Sequence, residues 1–123
     1  MSTAPMIAIV DDDNGARDAL GRLMRSLGYN AFTFASAVEF LKSEKLHDTS
    51  CLITDLHMPG LTGIDLQDRL IADGHRIPII FITGRPDDNA RARAMKAGAV
   101  GFLSKPSKDD HLLTCLETAL KAA

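Results

Sequence analysis

The sequence predicts a doubly wound α/β domain, in which a parallel sheet is covered by helices on both faces. Three observations support this prediction. Short apolar runs alternate with helical patterns along all 123 residues. The central runs are almost continuously apolar, as expected for parallel strands that are buried on both faces. The order βαβαβαβαβα implies right-handed crossovers between parallel strands.

Five segments have the length and composition of β-strands. Residues 30–34 alternate polar and apolar side chains, which suits a strand at the edge of the sheet. The strands are predicted at residues 6–10 (MIAIV), 30–34 (NAFTF), 51–55 (CLITD), 77–83 (IPIIFIT) and 99–103 (AVGFL).

The first two helices have clear boundary signals. Asp13 is the expected N-cap of the first helix, and Gly28 ends it. Ser36 and Glu39 predict a capping box at the start of the second helix. The first helix also carries one apolar stripe at helical spacing, formed by Ala16, Leu20, Leu23, Met24 and Leu27.

The three later helices are predicted from similar signals. The third extends from about Gly63 to Gly74, with Ile64, Leu66, Leu70 and Ile71 as its apolar positions. The fourth is capped by Asp87 or Asp88 and closed by Gly98. The fifth is predicted to begin at Ser107 and to reach the end of the chain.

Composition limits the classes of protein that fit this chain. Apolar residues make up 46% of it and the net charge is −2, so it is neither disordered nor a general polyanion binder. No apolar run approaches the roughly 18 residues of a membrane span. Cys51 and Cys115 form no CxxC pair and are predicted to be buried thiols. We therefore expect a cytoplasmic, soluble protein with one domain over residues 1–123 and no output domain.

Polar side chains follow the central strands at the points where these strands end. Asp11, Asp12 and Asp13 follow the first strand, and Asp55 ends the third. Thr83 ends the fourth strand, and Lys105 follows the fifth. In an open α/β sheet, ligands bind outside the carboxyl ends of the strands. The acids, the hydroxyl and the ammonium group are therefore expected to converge at one edge of the sheet.

Such a cluster of acids needs positive charge. Two carboxylates about 4 Å apart repel by about 4 kcal/mol at an effective dielectric constant of 20. Lys105 supplies one charge, and an all-oxygen set with few protein ligands suits Mg²⁺. A carboxylate beside both cations can act as a nucleophile toward phosphorus. Asp55 is therefore predicted to be a phosphoryl acceptor.

These residues resemble those of the receiver domain of bacterial two-component response regulators. The segments IVDDDNGAR, LITDLHMPGLTG, FITGR and AMKAGAVGFLSKP match the motifs of that family in order and in spacing, over essentially the whole chain. The later segments look most like receivers that precede a LuxR-type helix-turn-helix domain. The resemblance implies a flavodoxin-like (βα)5 fold with strand order 2-1-3-4-5.

The resemblance also implies a role for each residue of the cluster. Asp55 would take a phosphoryl group from a phosphohistidine of a sensor histidine kinase or a phosphotransfer protein. Asp12, Asp55 and the backbone carbonyl of His57 would bind Mg²⁺, with Asp11 acting through water. Lys105 would contact the phosphoryl oxygens, and the Lys105–Pro106 bond would be cis.

The resemblance further implies two pairs of residues that would govern switching and the phosphate lifetime. Thr83 and Phe102 would form the switch, with the hydroxyl turning toward the phosphate and the ring rotating into the vacated space. His57 and Arg85 flank the expected path of the hydrolytic water, so we expect them to affect the lifetime of the phosphoryl group.

The resemblance extends to the expected partners. The face formed by residues 87–121, with Arg91, Arg93 and Lys96 on its first helix, would bind a downstream protein or a second copy of the chain. Arg17, Arg22 and Arg25 would contact the kinase. The chain would bind neither nucleic acid nor membrane directly. It would act as a single-domain regulator or, alternatively, as the receiver half of a DNA-binding transcription factor.

Two rival classes fit less well. A haloacid-dehalogenase-like Mg²⁺ phosphatase would use Asp11 as its nucleophile, but this leaves Asp55 idle and needs a larger chain. A flavin-binding module would need a phosphate-cradling loop after the first strand, where this chain has three acids. The chain is therefore expected to be a phosphoacceptor signalling domain rather than an enzyme.

Overall fold

The five predicted strands form one parallel sheet. The computed structural model describes residues 4–85, 87–105 and 109–121. The strands are β1 (Met6–Val10), β2 (Asn30–Phe34), β3 (Cys51–Asp55), β4 (Ile79–Thr83) and β5 (Gly101–Ser104). Their order is β2-β1-β3-β4-β5, with every neighbouring pair parallel. The predicted flavodoxin-like fold and strand order are confirmed.

Helices follow the strands as predicted. They are α1 (Asn14–Ser26), α2 (Ala37–Lys42), α3 (Gly63–Ala72), α4 (Asp88–Lys96) and α5 (Asp109–Lys121). A 3₁₀ helix at Glu44–Asp48, which the sequence did not indicate, connects α2 to β3. The predicted start of the fifth helix at Ser107 and the predicted cis bond at Pro106 lie outside the described residues.

Two strand starts differ from the prediction for local reasons. β4 begins at Ile79 rather than residue 77, after Pro78, which has no N–H to donate to the sheet. β5 spans 101–104 rather than 99–103. The amides of Gly98 and Ala99 instead donate to Met95 and Ala94 and cap the end of α4, with Gly98 at a φ of +105°.

Side chains cap the helices largely where expected. Asp13 accepts from the amide of Gly15 at the start of α1, and Asp87 caps α4. The predicted capping box of α2 is only half formed. Ser36 accepts from the amide of Glu39, but Glu39 Oε2 accepts from the amide of Ala35 instead of that of Ser36. The reciprocal box occurs on α3, between Thr62 and Asp65.

The core forms one layer on each face of the sheet. Phe40, Phe81, Leu66 and Leu70 belong to the layer under α2, α3 and α4, while Met24 belongs to the layer under α1 and α5. Apolar periodicity predicted these buried helix faces correctly, but it also assigned to them residues near the helix ends that are exposed. Leu27, in the α1 stripe, is 40% exposed and Ile71, on α3, is 52% exposed.

Two polar contacts join α3 to α4. Gln67 is buried, and its Nε2 donates to the carbonyl of Ala94 at 3.1 Å. Its Oε1 has no hydrogen-bond partner among the described residues. On the surface beside it, Arg93 Nη2 pairs with Asp68 Oδ2 at 2.6 Å. Arg93 is therefore engaged with α3 rather than projecting wholly from the predicted partner face.

Candidate functional site

The sheet register brings the predicted polar residues to one edge. Asp55 is paired with Ile82, and Thr83 is paired with Ser104, so the ends of β3, β4 and β5 lie level. Val10 of β1 is paired with Thr54. Asp11 therefore follows β1 beside Asp55. The register therefore places the ends of β1, β3 and β4, with Asp11, Asp55 and Thr83, at one edge of the sheet.

Lys105 lies between two of the carboxylates. Its Nζ is 2.9 Å from Asp11 Oδ2 and 3.4 Å from Asp55 Oδ2. Both acids are buried, whereas the Lys105 side chain is 26% exposed. The ammonium group thus bridges two strand ends that are far apart in the sequence.

Every polar group of Asp11 is engaged. Its amide donates to the carbonyl of Phe34 at 3.1 Å, and its own carbonyl accepts from Arg17 Nη1 at 2.8 Å. Oδ1 accepts from the amide of Asp13 at 2.9 Å, and Oδ2 accepts from Lys105. Asp11 is consequently fixed in orientation, and its carboxylate already has two donors.

Burial and charge set the pKa values of the site in opposite ways. Burial raises the pKa of the Asp55 carboxyl above its ordinary value, and nearby Asp11 adds to this. Lys105 and the amide of Leu56, which donates to Asp55 Oδ1 at 2.8 Å, reduce the increase without cancelling it. Burial by itself lowers the pKa of Lys105, but its bonds to both carboxylates outweigh this and raise that pKa. Lys105 is therefore firmly cationic at neutral pH.

The three acids provide a donor set that fits a small divalent cation. One carboxylate oxygen from each of Asp11, Asp12 and Asp55 lies within 4.8 Å of the others. Asp12 is exposed, so part of the cluster faces solvent and leaves room for water ligands. Hard oxygen donors that are few in number and open to water suit Mg²⁺. The residues present therefore fit the cation that the sequence predicted.

The hydroxyl of Thr83 points toward the following loop. Its Oγ1 donates to the carbonyl of Arg85 and accepts from the amide of Arg85, both at 3.1 Å. Phe102 is half-buried, with its ring centroid 5.8 Å from that of Phe81. Neither predicted switch residue makes a hydrogen bond to Asp55 in the described part of the chain.

His57 and Arg85 both line an open cavity of about 360 Å³ beside Asp12. Asp12 and Thr62 complete its polar lining, and Met58 and Pro59 are its apolar members. His57 is half-buried and Arg85 is exposed. The two bulky side chains predicted to affect the phosphate lifetime thus border the same space next to Asp12.

Three features of the structure were not anticipated. His47 and His75 are 28 residues apart in the sequence, but their ring centroids are 5.6 Å apart. Cys51 is buried as predicted, whereas Cys115 is only half-buried. Arg17 was expected to face a kinase, but its guanidinium folds back onto Asp11. No sequence pattern marks these contacts, since each depends on how distant segments or long side chains lie in space.

Comparisons with known proteins identify the family. The sequence model of the family described as the response regulator receiver domain matches residues 7–117 of this chain. This chain belongs to that family. It is 44% identical over 118 residues to the response regulator protein TmoT of Ectopseudomonas mendocina, covering 96% of this chain and 54% of TmoT. It is 39% identical over 123 residues to the transcriptional regulatory protein FixJ of Bradyrhizobium diazoefficiens, covering 100% of this chain and 60% of FixJ.

Solved structures agree with this assignment. The response regulator StyR matches with a TM-score of 0.90 and 42% identity, over 98% of this chain and 61% of StyR. The FixJ-N crystal structure matches with a TM-score of 0.87 and 31% identity, over 99% of this chain and 98% of that one. The receiver domain thus spans little more than half the length of the curated relatives it matches.

The family assignment decides several of the sequence predictions. A receiver is a signalling domain of two-component systems rather than a classical enzyme, and the haloacid-dehalogenase alternative has no support. Response regulators interact with histidine kinases and downstream effectors, and the family generally uses Mg²⁺ at an acidic pocket. Within the described residues, no helix has both the length and the hydropathy to cross a membrane.

Proposed function

We propose that this receiver domain accepts a phosphoryl group on Asp55 from a phosphohistidine of a sensor histidine kinase or phosphotransfer protein. The single observation that carries the proposal is the bridge from Lys105 to Asp55 and Asp11 at the carboxyl edge of the sheet. Asp55 is the carboxylate at the end of a central strand that has both a fixed cation and two acidic neighbours. We further propose that the protein acts in the cytoplasm.

The side chains of the site favour attack by Asp55. An Asp55 carboxylate oxygen would form the new O–P bond as the P–N bond to the phosphohistidine breaks, and the leaving imidazole would take up a proton. The amide of Leu56 holds Oδ1 and thereby orients the carboxylate. Lys105, whose pKa is raised, would remain cationic and neutralise the oxygens of the incoming group.

Asp12, Asp55 and the backbone carbonyl of His57 would hold Mg²⁺, and Asp11 would reach it through water. When bound, the cation would offset the negative charge that gathers on the phosphoryl oxygens. Asp11 bonds Lys105 more closely than Asp55 does, at 2.9 Å against 3.4 Å, so Asp11 is assigned the contact through water. This division explains why two adjacent acids are present in the β1–α1 loop.

Thr83 and Phe102 would transmit the modification. To reach a phosphoryl oxygen, Thr83 must give up two hydrogen bonds to Arg85, each contributing about 0.5–1.5 kcal/mol. The new bond to a charged group contributes about 1.5–3 kcal/mol. A shift from 1:99 to 99:1 requires about 5.5 kcal/mol, so Thr83 alone cannot drive it. We expect phosphorylation to shift the population partly and partner binding to complete the change; NMR spectra of the phosphorylated, partner-free domain that are fully switched would contradict this.

His57 and Arg85 would lengthen the life of the phosphoryl group by obstructing the cavity beside Asp12. The expected result is faster dephosphorylation in His57→Ala and Arg85→Ala, measured as loss of phosphoprotein after the donor is removed. His111→Ala, on the exposed face of α5, is the matched control. Unchanged rates in both cavity variants would remove these residues from the mechanism.

The biological setting is proposed at two levels. The first candidate is a single-domain regulator, with the 87–121 face as the surface for a downstream protein or a second copy. The relatives favour the second candidate, a receiver within a transcription factor, because FixJ is a transcriptional regulatory protein and this chain spans 60% of it. Both candidates share the same first step on Asp55.

The decisive experiment is phosphorylation by acetyl phosphate with Mg²⁺, followed by peptide mass spectrometry. We expect one added phosphoryl group on the peptide that contains Asp55, and none in Asp55→Asn. Asp48→Asn, an exposed acid of the 3₁₀ helix, is the control and should be modified normally. Candidate kinases can then be compared by the same readout. A phosphoryl group on Asp11 instead of Asp55 would overturn the proposal.

A further inference from the structure

Arg17 occupies an unusual position for a cation. It lies in the first turn of α1, which begins at Asn14 and contains no acidic residue in that turn. The amino end of a helix carries a partial positive charge, so acids are favoured there and a guanidinium is not. Packing does not explain the choice either, because Arg17 is only half-buried. Some other interaction must favour arginine at this position.

The contacts of Arg17 are all directed to the β1–α1 loop. Its Nη1 donates to the carbonyl of Asp11 at 2.8 Å, and its Nη2 donates to Asn14 Oδ1. The two nitrogens of one planar group thus hold both ends of the segment that carries Asp12 and Asp13. In the described part of the chain, no carboxylate forms a salt bridge with Arg17. The guanidinium therefore acts here through geometry rather than through a paired charge.

The Asp12 side chain, in the same loop, is held less firmly than Asp11. Asp12 is exposed, and no hydrogen bond of its side chain occurs among the described residues. Its orientation depends on the neighbours, Asp11 and Asp13, whose mutual bond is 2.9 Å long. A clamp that fixes the carbonyl of Asp11 and the side chain of Asn14 would hold the intervening backbone, and with it the direction of the Asp12 carboxylate.

We propose that Arg17 is a positioning residue that sets the Mg²⁺ affinity of the acid cluster by holding the β1–α1 loop. The inference rests on the proposed function, because it concerns the same cation site. Arg17 acts through Asp11 and Asp12 and touches neither the phosphoryl group nor the cation. The forked guanidinium is essential to this role, since the donors of a lysine all lie on one nitrogen and cannot hold both partners with the same geometry.

The test separates geometry from charge. Mg²⁺ is titrated into the wild type, Arg17→Lys and Arg17→Met while amide NMR shifts report binding; spectra without metal report the fold. We expect Arg17→Lys to bind Mg²⁺ about tenfold more weakly than the wild type, as is usual when a group behind a metal ligand is lost. Arg22→Lys, on an exposed position of the same helix, is the matched control and should bind normally.

Phosphorylation by acetyl phosphate gives a second readout. At saturating Mg²⁺ the rate for Arg17→Lys should return to the wild-type value, because the variant lacks affinity rather than chemistry. Wild-type Mg²⁺ affinity in Arg17→Lys would overturn the inference, and so would tighter binding by Arg17→Met, which would indicate that only the charge matters. A wild type that binds no Mg²⁺ would overturn the proposed function as well.

Discussion

Replacing Asp55 with asparagine should stabilise the metal-free domain at neutral pH. The substitution keeps the size of the side chain and one acceptor oxygen, which can still accept from the amide of Leu56, but it removes a charge that is buried beside other acids. Asp11 keeps its shorter bond to Lys105, at 2.9 Å, so the bridge is only partly lost. The raised pKa of Asp55 indicates the same direction, because the folded protein favours the uncharged form of this side chain.

Three contributions set the magnitude. Oxygens of Asp55 and Asp11 lie within 4.8 Å, which corresponds to a repulsion of about 3.5 kcal/mol or more at an effective dielectric constant of 20. The attraction between Lys105 and Asp55, whose charged atoms are 3.4 Å apart, contributes about 5 kcal/mol at the same dielectric constant. Solvent around the exposed part of Lys105 screens this attraction and reduces it. These two contributions nearly offset each other, so the desolvation of Asp55 decides the sign. We expect a gain of about 1–2 kcal/mol, or a rise in Tm of about 3–8 °C.

The effect should depend on pH with a defined sign. Because the pKa of Asp55 is raised in the folded state, the folded chain holds this proton at pH values where the unfolded chain has lost it. The contribution of Asp55 to the free energy of unfolding therefore falls as the pH rises above its ordinary pKa. The advantage of Asp55→Asn is full at pH values above the folded-state pKa of Asp55, and it shrinks as the pH is lowered toward the ordinary pKa of an aspartate.

Magnesium should reverse the order of stability. At a concentration a hundred times its Kd, Mg²⁺ would stabilise the wild type by about 2.7 kcal/mol, with a much smaller effect on Asp55→Asn. Urea unfolding with and without Mg²⁺, at several pH values, measures all of these differences. The reasoning fails if Asp55→Asn is less stable than the wild type without metal, or if Mg²⁺ stabilises both proteins equally.

Two other predictions concern packing in the folded domain. Gly63→Ala should lower the free energy of unfolding by about 2–3 kcal/mol in urea, because a Cβ there would lie 2.5 Å from the carbonyl oxygen of Asp55. Gly15→Ala, whose Cβ would have 3.9 Å to its nearest neighbour, is the helical control and should be neutral or slightly stabilising; equal losses in both would refute the clash. Burial raises the pKa of the Cys51 thiol to about 12 and also raises the pKa of the half-buried Cys115 thiol. Iodoacetamide at pH 8 should therefore label Cys115 slowly in the folded protein and Cys51 only after unfolding. Equal labelling rates for the two cysteines in the folded protein would contradict this.

The sequence predicted the positions of the strand ends well because hydrophobic patterning fixes them. The β3 run ends at Asp55 and the β4 run at Thr83, and the register then leaves one arrangement for their side chains. Helix starts with a capping residue, such as Asp13 and Asp87, were also predictable from local chemistry. An error occurred where two local signals competed, as at Ala99, whose amide caps α4 instead of beginning β5.

The side-chain geometry of the site was less predictable. Nothing in the pattern says that Lys105 would bond Asp11 more closely than Asp55, or that Thr83 would turn toward Arg85. Both outcomes depend on distances of a few ångströms between segments far apart in the sequence. The contact of Arg17 with the carbonyl of Asp11 was unpredictable for the same reason. A long, flexible side chain on a helix can face solvent or fold back without any change in the sequence periodicity.

The bond from Gln67 to the carbonyl of Ala94 has a mechanical consequence. It fastens the carboxyl-terminal end of α4 to α3, while the opposite end of α4, at Asp87, follows the loop that engages Thr83. This bond restrains the carboxyl-terminal end of α4 against α3 but leaves its amino-terminal end free to rotate about that contact. Any rearrangement that starts at Thr83 would therefore displace the amino-terminal end of α4 most, while the contact between Gln67 and Ala94 stays in place.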